Sequence, residues 1–301
     1  MKYDVIIIGA GTAGLTAAIY VQRAGKQALV LEGATYGGQI VNSPEIANYP
    51  GFKNISGFEF VTALYEQASA LGMEFKNETV TEVTKSDEGF IVTTTVDKYE
   101  GASVIIATGA KRRKLNVPGE DEFAGAGVSY CATCDGMFYR KKKTAICGGG
   151  NTALDDAVFL SNYCESVTIV HRRDGFRGEP STLELLRSKE NVHFLTDVTV
   201  DSLTGEGKLS ALNYTDHKTG EKGSLAVDGC FIAVGQVPDT EFVKDIVELD
   251  SAGYVIAFED CRTNIPGIFT AGDCRTKTVR QLTTAAADGT VAALAAVDYV
   301  K

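Results

Sequence analysis

The sequence predicts an α/β chain of two three-layer domains, the second inserted in the first. Three observations carry that prediction. The chain opens with a β-branched apolar run, a glycine-rich turn, a helical stretch and a second apolar run. The same order recurs once, from residue 143 onward. Turn chemistry brackets this second copy, at Asn116-Val117-Pro118-Gly119 and at Gly235-Gln236-Val237-Pro238-Asp239.

Taken in order, residues 4–8 (DVIII) read as a buried strand. Gly9-Ala10-Gly11-Thr12-Ala13-Gly14 turns into a helix over about 14–24, and Gly25 suits its C-terminal cap. Residues 28–31 (ALVL) form the next strand, which ends at Glu32. In the second copy, 143–147 (KTAIC) is the strand and Gly148-Gly149-Gly150-Asn151-Thr152-Ala153 the turn. A helix then reaches about Tyr163, and 166–170 (SVTIV) ends at His171. Further strands are predicted at 80–84, 90–96, 103–107, 192–196, 209–215 and 229–234, and helices at 58–71, 181–188 and 281–300. The segments 1–115 and 239–301 are assigned to one domain, and 116–238 to the inserted one.

The 301 residues suffice for two such domains, and 44% hydrophobic with 23% charged residues is a globular composition. A net charge of −10 gives no basic face for nucleic acid. The run Lys111-Arg112-Arg113-Lys114 reads as a solvated linker. No stretch approaches the roughly 18 apolar residues of a membrane span. Asp4 and the glycine cluster argue against an N-terminal leader peptide. Of seven cysteines only Cys131 and Cys134 are close in sequence, which suits a reducing, cytoplasmic setting with one functional pair.

Both turns fit the Rossmann-like dinucleotide pattern, but they differ in the residues at the end of the second strand. Gly9, Gly11 and Gly14 complete G-x-G-x-x-G, and Glu32 is placed to accept hydrogen bonds from ribose hydroxyls. The second turn is G-x-G-x-x-A, with Ala153 in the third small position, and no acid ends its second strand. His171-Arg172-Arg173-Asp174-Gly175-Phe176-Arg177 stands there instead and offers several cations. Arginines bind a ribose 2′-phosphate that a carboxylate would repel, so this site is predicted to prefer NADPH to NADH. The first site is then assigned to FAD, because a flavin accepts a hydride and passes electrons to sulfur.

Cys131-Ala132-Thr133-Cys134 lies just ahead of the second turn. A C-x-x-C pair reads as a redox disulfide or as half of a zinc site. His171, His193 and His217 form no second ligand pair, no other C-x-x-C exists, and no metal is predicted. Asp135 is placed to relay a proton during thiol exchange, or else to act as an ordinary capping aspartate. Cys147 and Cys230 lie in apolar runs and read as core residues, and a packing role is also favoured for Cys274.

With these residues in hand, the whole chain resembles the low-molecular-weight bacterial thioredoxin reductases. The resemblance rests on GAGTAG at 9–14, GGQ at 37–39, ATG at 107–109, CATCDG at 131–136, GGGNTA at 148–153, HRRDGFR at 171–177, AGD at 271–273, and Arg280-Gln281. It implies a homodimer with one FAD per subunit, NADPH as hydride donor and thioredoxin as acceptor. FAD would be held by Gly9, Gly11, Thr12, Ala13 and Gly14, by Glu32, Gly33, Gly37, Gly38, Gln39 and Asn48, by Ala107, Thr108 and Gly109, and by Gly272, Asp273, Arg280, Gln281 and Leu282. NADPH would be held by Gly150, Asn151, Thr152 and Ala153 with His171, Arg172, Arg173 and Arg177. By the same likeness Cys134 would face the flavin, Cys131 would attack thioredoxin, and Asp135 would be the acid. The linkers near 114–118 and 236–243 would be hinges. Three other readings stay open. A flavin dithiol oxidase or a ferredoxin-fed reductase would not need the second nucleotide turn, and a non-catalytic NADPH sensor would not need the cysteine pair.

Overall fold

The computed structural model describes residues 2–43 and 45–301. It divides into two compact units, one formed by residues up to 111 together with 237–301, the other by 112–236. The chain opens with β1 (Lys2–Ile8), α1 (Thr12–Arg23), β2 (Ala28–Glu32), α2 (Gly57–Ala70), β3 (Glu74–Asn77), β4 (Val80–Ser86), β5 (Gly89–Thr94), β6 (Lys98–Ile106) and β7 (Ala110–Arg112). The second unit holds β8 (Val128–Ser129), α3 (Ala132–Asp135), β9 (Lys143–Cys147), α4 (Asn151–Ser161), β10 (Ser166–His171) and α5 (Pro180–Arg187). It continues through β11 (Val192–Thr196), β12 (Val198–Gly205), β13 (Leu209–Asp216), β14 (Lys222–Ala226) and β15 (Gly229–Ile232). The chain returns through β16 (Gln236–Pro238) and ends with β17 (Ile268–Thr270) and α6 (Leu282–Tyr299).

The first unit is built on a seven-stranded sheet in the order β3-β2-β1-β6-β5-β4, with β17 also on β6. The nine-residue β6 serves three neighbours. It runs parallel to β1 from Glu100 to Ile106 and to β17 from Val104 to Ile106, and its first residues, Lys98 to Gly101, are antiparallel to β5. Sequence reading places this strand at 103–107 and misses its first half, where Lys98 and Glu100 alternate with buried Tyr99. Alternation suits a half-covered antiparallel pairing, and the solid apolar run Val104–Ile106 suits a parallel centre buried on both faces.

One face of this sheet is covered by α1, α2 and α6, through Val5, Ile7, Leu15, Val30 and Phe269. The other buries Ile6, Ile8, Val83, Val92 and Val255. A Cβ added at Gly289 of α6 would lie 2.3 Å from the Ala13 carbonyl oxygen of α1, so the two backbones touch there. Truncating a fully buried residue such as Leu15 to Ala costs about 2–5 kcal/mol. The helix α2 starts on a reciprocal box. The Ser56 hydroxyl accepts the Glu59 N–H, and the Glu59 carboxylate accepts the Ser56 N–H. Such a cap contributes about 1 kcal/mol.

The second unit has a parallel five-stranded sheet, β11-β10-β9-β15-β8. One face packs on α4 and α5 through Ile146, Ile169, Leu154, Leu160, Leu186 and Phe231. The other is covered by the antiparallel sheet β12-β13-β14, which buries Leu203 and Leu212. Sequence reading finds β13 but neither of its partners, because β12 (VTVDSLTG) and β14 (KGSLA) carry few apolar residues. Among the described residues no helix is long and apolar enough to cross a membrane.

Candidate redox and nucleotide sites

In the first unit the predicted nucleotide residues gather at the C-terminal ends of β1, β2, β6 and β17, where β1 has parallel neighbours on both sides. Gly9 is held against β6, since a Cβ there would meet the Ala107 carbonyl oxygen at 2.4 Å. Gly14 is held against Gly9 in the same way, at 1.9 Å. Gly11 differs. An added Cβ would meet nothing within 4 Å, so the protein's own packing does not require glycine there. Gly11 also caps α1 with no side-chain hydrogen bond and no acid in the first turn. Open space beside free N–H groups at a helix start fits a pyrophosphate.

The Glu32 carboxylate is tied into this turn. Oε2 accepts the Ala10 N–H at 2.9 Å and Oε1 accepts the Ala34 N–H at 3.0 Å. Each oxygen keeps a second lone pair for a ribose hydroxyl. The Gly37 N–H donates to the Ala10 carbonyl at 2.7 Å, and the Gln39 amide donates to the Ala110 carbonyl beside Ala107, Thr108 and Gly109. The Asn48 amide meets Gln281 at 3.3 Å. Arg280 lies over the Tyr254 ring at 4.3 Å and reaches the Asp273 carbonyl.

The second unit repeats the pattern. A Cβ at Gly148 would lie 2.4 Å from the Ala233 carbonyl oxygen, whereas one at Gly150 would meet nothing within 4 Å. Gly150 caps α4, again with no side-chain bond and no acid in the first turn. The Arg177 N–H donates to the Gly149 carbonyl at 2.8 Å, and Asn151 accepts the Glu179 N–H at 2.8 Å. These bonds draw the arginine loop over the turn. Arg172, Arg173 and Arg177 are exposed.

His171 differs from the arginines that follow it. Its ring is buried, stacks on Phe176 and abuts Gly149. Burial pushes its proton affinity below the ordinary value, and Arg177, Arg172 and Arg173 push the same way. Burial thus disfavours charge on this ring, and the positive charge of the loop is carried by its arginines.

Cys131 and Cys134 are joined by a disulfide, with an S–S distance of 2.06 Å and Cα atoms 5.3 Å apart. Both are partly exposed at the short helix α3, where Ala132 packs into the core beneath. Asp135 comes next in the chain, and its Oδ2 accepts the Ser129 hydroxyl at 2.6 Å. The remaining five cysteines are free and buried. Burial raises the Cys274 thiol pKa above its usual value, in keeping with a packing residue. Among the described residues, no group of three or more His, Cys, Asp or Glu could hold a metal ion.

Comparison with known proteins matches residues 3–289 to the pyridine nucleotide-disulphide oxidoreductase family. The chain belongs to that family. Among curated relatives, a thioredoxin reductase of Treponema pallidum is 44% identical over 299 residues, covering 99% of this chain and 97% of the relative. One of Bacillus subtilis is 40% identical, covering 99% and 95%. Of solved structures, a thioredoxin reductase from Streptococcus pyogenes matches with a TM-score of 0.95 at 40% identity, covering 99% of this chain and 98% of that one.

In this member of the pyridine nucleotide-disulphide oxidoreductase family, three polar residues that no motif announces build the sites. Asp288 of α6 accepts the Gly272 N–H at 3.0 Å and binds Arg275 through two bonds of 2.8 Å, with Lys277 also at 2.8 Å. It thereby holds the Gly272-Asp273 turn. Burial opposes its charge, but the two cations hold its pKa below the ordinary value. Glu120, buried, accepts the N–H groups of Leu115 and Asn116 and the hydroxyl of Tyr130, next to Cys131. Ser129 is the third. For Asp288 the signal is a contact with a separate segment, and for Glu120 and Ser129 it is a side-chain bond within one irregular stretch, which no motif displays.

Proposed function

We propose that this chain reduces the disulfide of thioredoxin, with NADPH as reductant and FAD as resident cofactor. The chain is a flavoprotein oxidoreductase of the thioredoxin reductase type. The observation that carries the finer reading is the partly exposed Cys131–Cys134 disulfide followed by the Asp135 carboxylate, in the same unit as an arginine-bearing nucleotide turn. The first unit is read as the FAD-binding domain and the second as the NADPH-binding domain. Gly11 and the N–H groups opening α1 suit the FAD pyrophosphate, and Glu32 suits its ribose. Gly37, Gly38, Gln39, Asn48, the 107–109 turn, Gly272, Asp273 and Arg280 to Leu282 complete that site in this reading. Gly150, Asn151, Thr152 and Ala153 suit the NADPH pyrophosphate, with Arg172, Arg173 and Arg177 for its 2′-phosphate. A bound flavin supplies a carrier that accepts a hydride and passes an electron pair to sulfur.

The protein's own residues handle the sulfur and the protons. Once Cys131 and Cys134 are reduced, the Cys131 thiolate attacks a thioredoxin sulfur and forms a mixed disulfide. Asp135 gives its proton to the departing thioredoxin thiolate. Cys134 then attacks Cys131, which restores the Cys131–Cys134 disulfide and releases the second thioredoxin sulfur, protonated from solvent. Thioredoxin gains two electrons and two protons, and the cysteine pair loses two electrons. A homodimer in a reducing cytoplasm fits this chemistry.

The test separates the two half-reactions. Cys131→Ser and Cys134→Ser should leave flavin bleaching by NADPH intact in stopped flow and abolish thioredoxin reduction. A variant that still turned over thioredoxin, or one that lost flavin bleaching, would overturn the assignment.

A further inference from the structure

Lys218 lies in the turn of the β13–β14 hairpin. The last residues of β10 and β11, His171 and Thr196, are paired, so the chain leaves β11 beside the start of the arginine loop. Asp197 comes next, with a φ of 58° that turns the chain into β12. It grips the hairpin twice. Its carbonyl accepts the His217 N–H at 2.7 Å, and its Oδ2 meets the Lys218 ammonium at 2.7 Å. The turn itself is built on Asp216, whose Oδ1 accepts the N–H groups of Lys218 and Thr219 at 2.7 and 3.0 Å. The His217 ring meets the Thr199 hydroxyl at 2.5 Å. The backbone and the ammonium of Lys218 are thus held by separate bonds, yet the side chain is 69% exposed. The Asp197 bond first, then the charges of Asp174 and Asp216, hold its proton affinity above the ordinary lysine value. Asp174 belongs to the arginine loop, so Lys218 stands within electrostatic reach of that loop.

We infer that Lys218 is a further specificity-determining residue, a fourth cation beside Arg172, Arg173 and Arg177 for the 2′-phosphate of NADPH. The inference rests on the reading of the second unit as the NADPH-binding domain. Asp174 stands among the arginines, and its carboxylate repels a phosphate. Lys218 offsets that charge. An ammonium has three N–H donors, and Asp197 engages one, so the others remain for a phosphate oxygen. Arginine makes paired, planar bonds to a phosphate, whereas lysine acts as a point charge on a flexible stem. Lys218 therefore adds attraction at the edge of the site, while the arginines fix the geometry. A nucleotide without the 2′-phosphate gives the ammonium nothing to bind, so its contribution is confined to that group. The hairpin lies far along the chain from the loop, and only the bond to Asp197 brings its cation there.

The experiment is calorimetric titration of the full chain with 2′,5′-ADP, which carries the phosphate, and with 5′-AMP, which lacks it. Neither probe involves turnover. Lys218→Ala should weaken 2′,5′-ADP about fivefold and 5′-AMP by less than about twofold. Lys218→Arg, which keeps the charge, should restore the affinity, and Lys218→Glu should weaken it further than Lys218→Ala does. The loss in Lys218→Ala should shrink as salt is raised. Lys208→Ala removes the same charge just before the other end of β13 and should change neither affinity. A Lys218→Ala loss that is equal for the two nucleotides, or that Lys208→Ala matches, overturns the inference. A wild-type preference for 2′,5′-ADP that Lys218→Ala leaves undiminished overturns it as well, while the NADPH reading stands. A wild type that binds the two nucleotides equally overturns the NADPH reading and this inference with it.

Discussion

The two glycine-rich turns share a backbone and differ in where they keep their charge. In both, the first glycine is wedged against a carbonyl of a neighbouring strand, and the second faces open space. In the first unit the charged groups are turned inward. Glu32 accepts backbone N–H groups of its own turn, and buried Asp288 ties two cations and Gly272 together. In the second unit the turn is held by an amide, a backbone N–H and a buried imidazole, while the arginines stand exposed. Glu32 keeps lone pairs for a neutral hydroxyl, but the charge of Asp288 is neutralised inside the fold by Arg275 and Lys277. The arginines of the second unit keep theirs at the surface, where a charged group can meet it. The first arrangement suits a cofactor that stays, and the second suits one that arrives, is recognised by its phosphate, and leaves.

The sharpest way to break this comparison is to remove a carboxylate from the first unit. Asp288→Asn leaves Arg275 and Lys277, with side chains 4% and 6% exposed, without their counter-charge. Stranding a buried ion costs about 3–5 kcal/mol. Urea unfolding of the flavin-free chain should show that loss. A change below about 1 kcal/mol would mean that the triad does not hold the turn.

Removing charge from the second unit should do the opposite: little to folding and much to selection. Exposed arginines contribute little to stability. Charge-assisted bonds to a phosphate are worth about 1.5–3 kcal/mol each, so Arg172→Ala with Arg173→Ala should raise KM for NADPH at least tenfold relative to NADH. Steady-state kinetics with both cofactors checks this. An unchanged preference would remove the arginine loop from the selection of cofactor.

How much of the molecule is legible in the sequence depends on the same division. The glycine turns, Glu32, the arginine loop and the cysteine pair declare themselves because each does its work within a few neighbouring residues. His171 stands in line with the arginines in the sequence, and its burial against Phe176 and Gly149 is a product of tertiary packing that no local pattern displays. Asp288 looks like any helix acid until α6 brings it to Gly272. Glu120 looks like a surface glutamate until it receives two N–H groups of the linker. The strands show the same limit. Solid apolar runs such as Val104–Ile106 are unambiguous, whereas the half-exposed β12 and β14 become strands only by pairing with β13.

The smallest effect separates the two units by the direction of their pH dependence. Asp156, half-buried on α4, is pushed up from 3.8 to about 7, first by burial and then by Asp155, with Arg112 opposing. Its folded form holds a proton that the unfolded chain has already lost, so it subtracts stability as pH rises from about 4 to about 7. Asp288 has the opposite sign. Its lowered pKa adds stability at neutral pH that is lost as pH falls through the carboxylate range. Asp156→Asn should therefore stabilise the second unit by an amount that grows between pH 5 and pH 8. After solvent screening the gain is on the order of 1–2 kcal/mol. The measurement is urea unfolding at several pH values, followed by a probe confined to residues 112–236. A gain that did not change with pH would show that burial does not hold Asp156 neutral above pH 5.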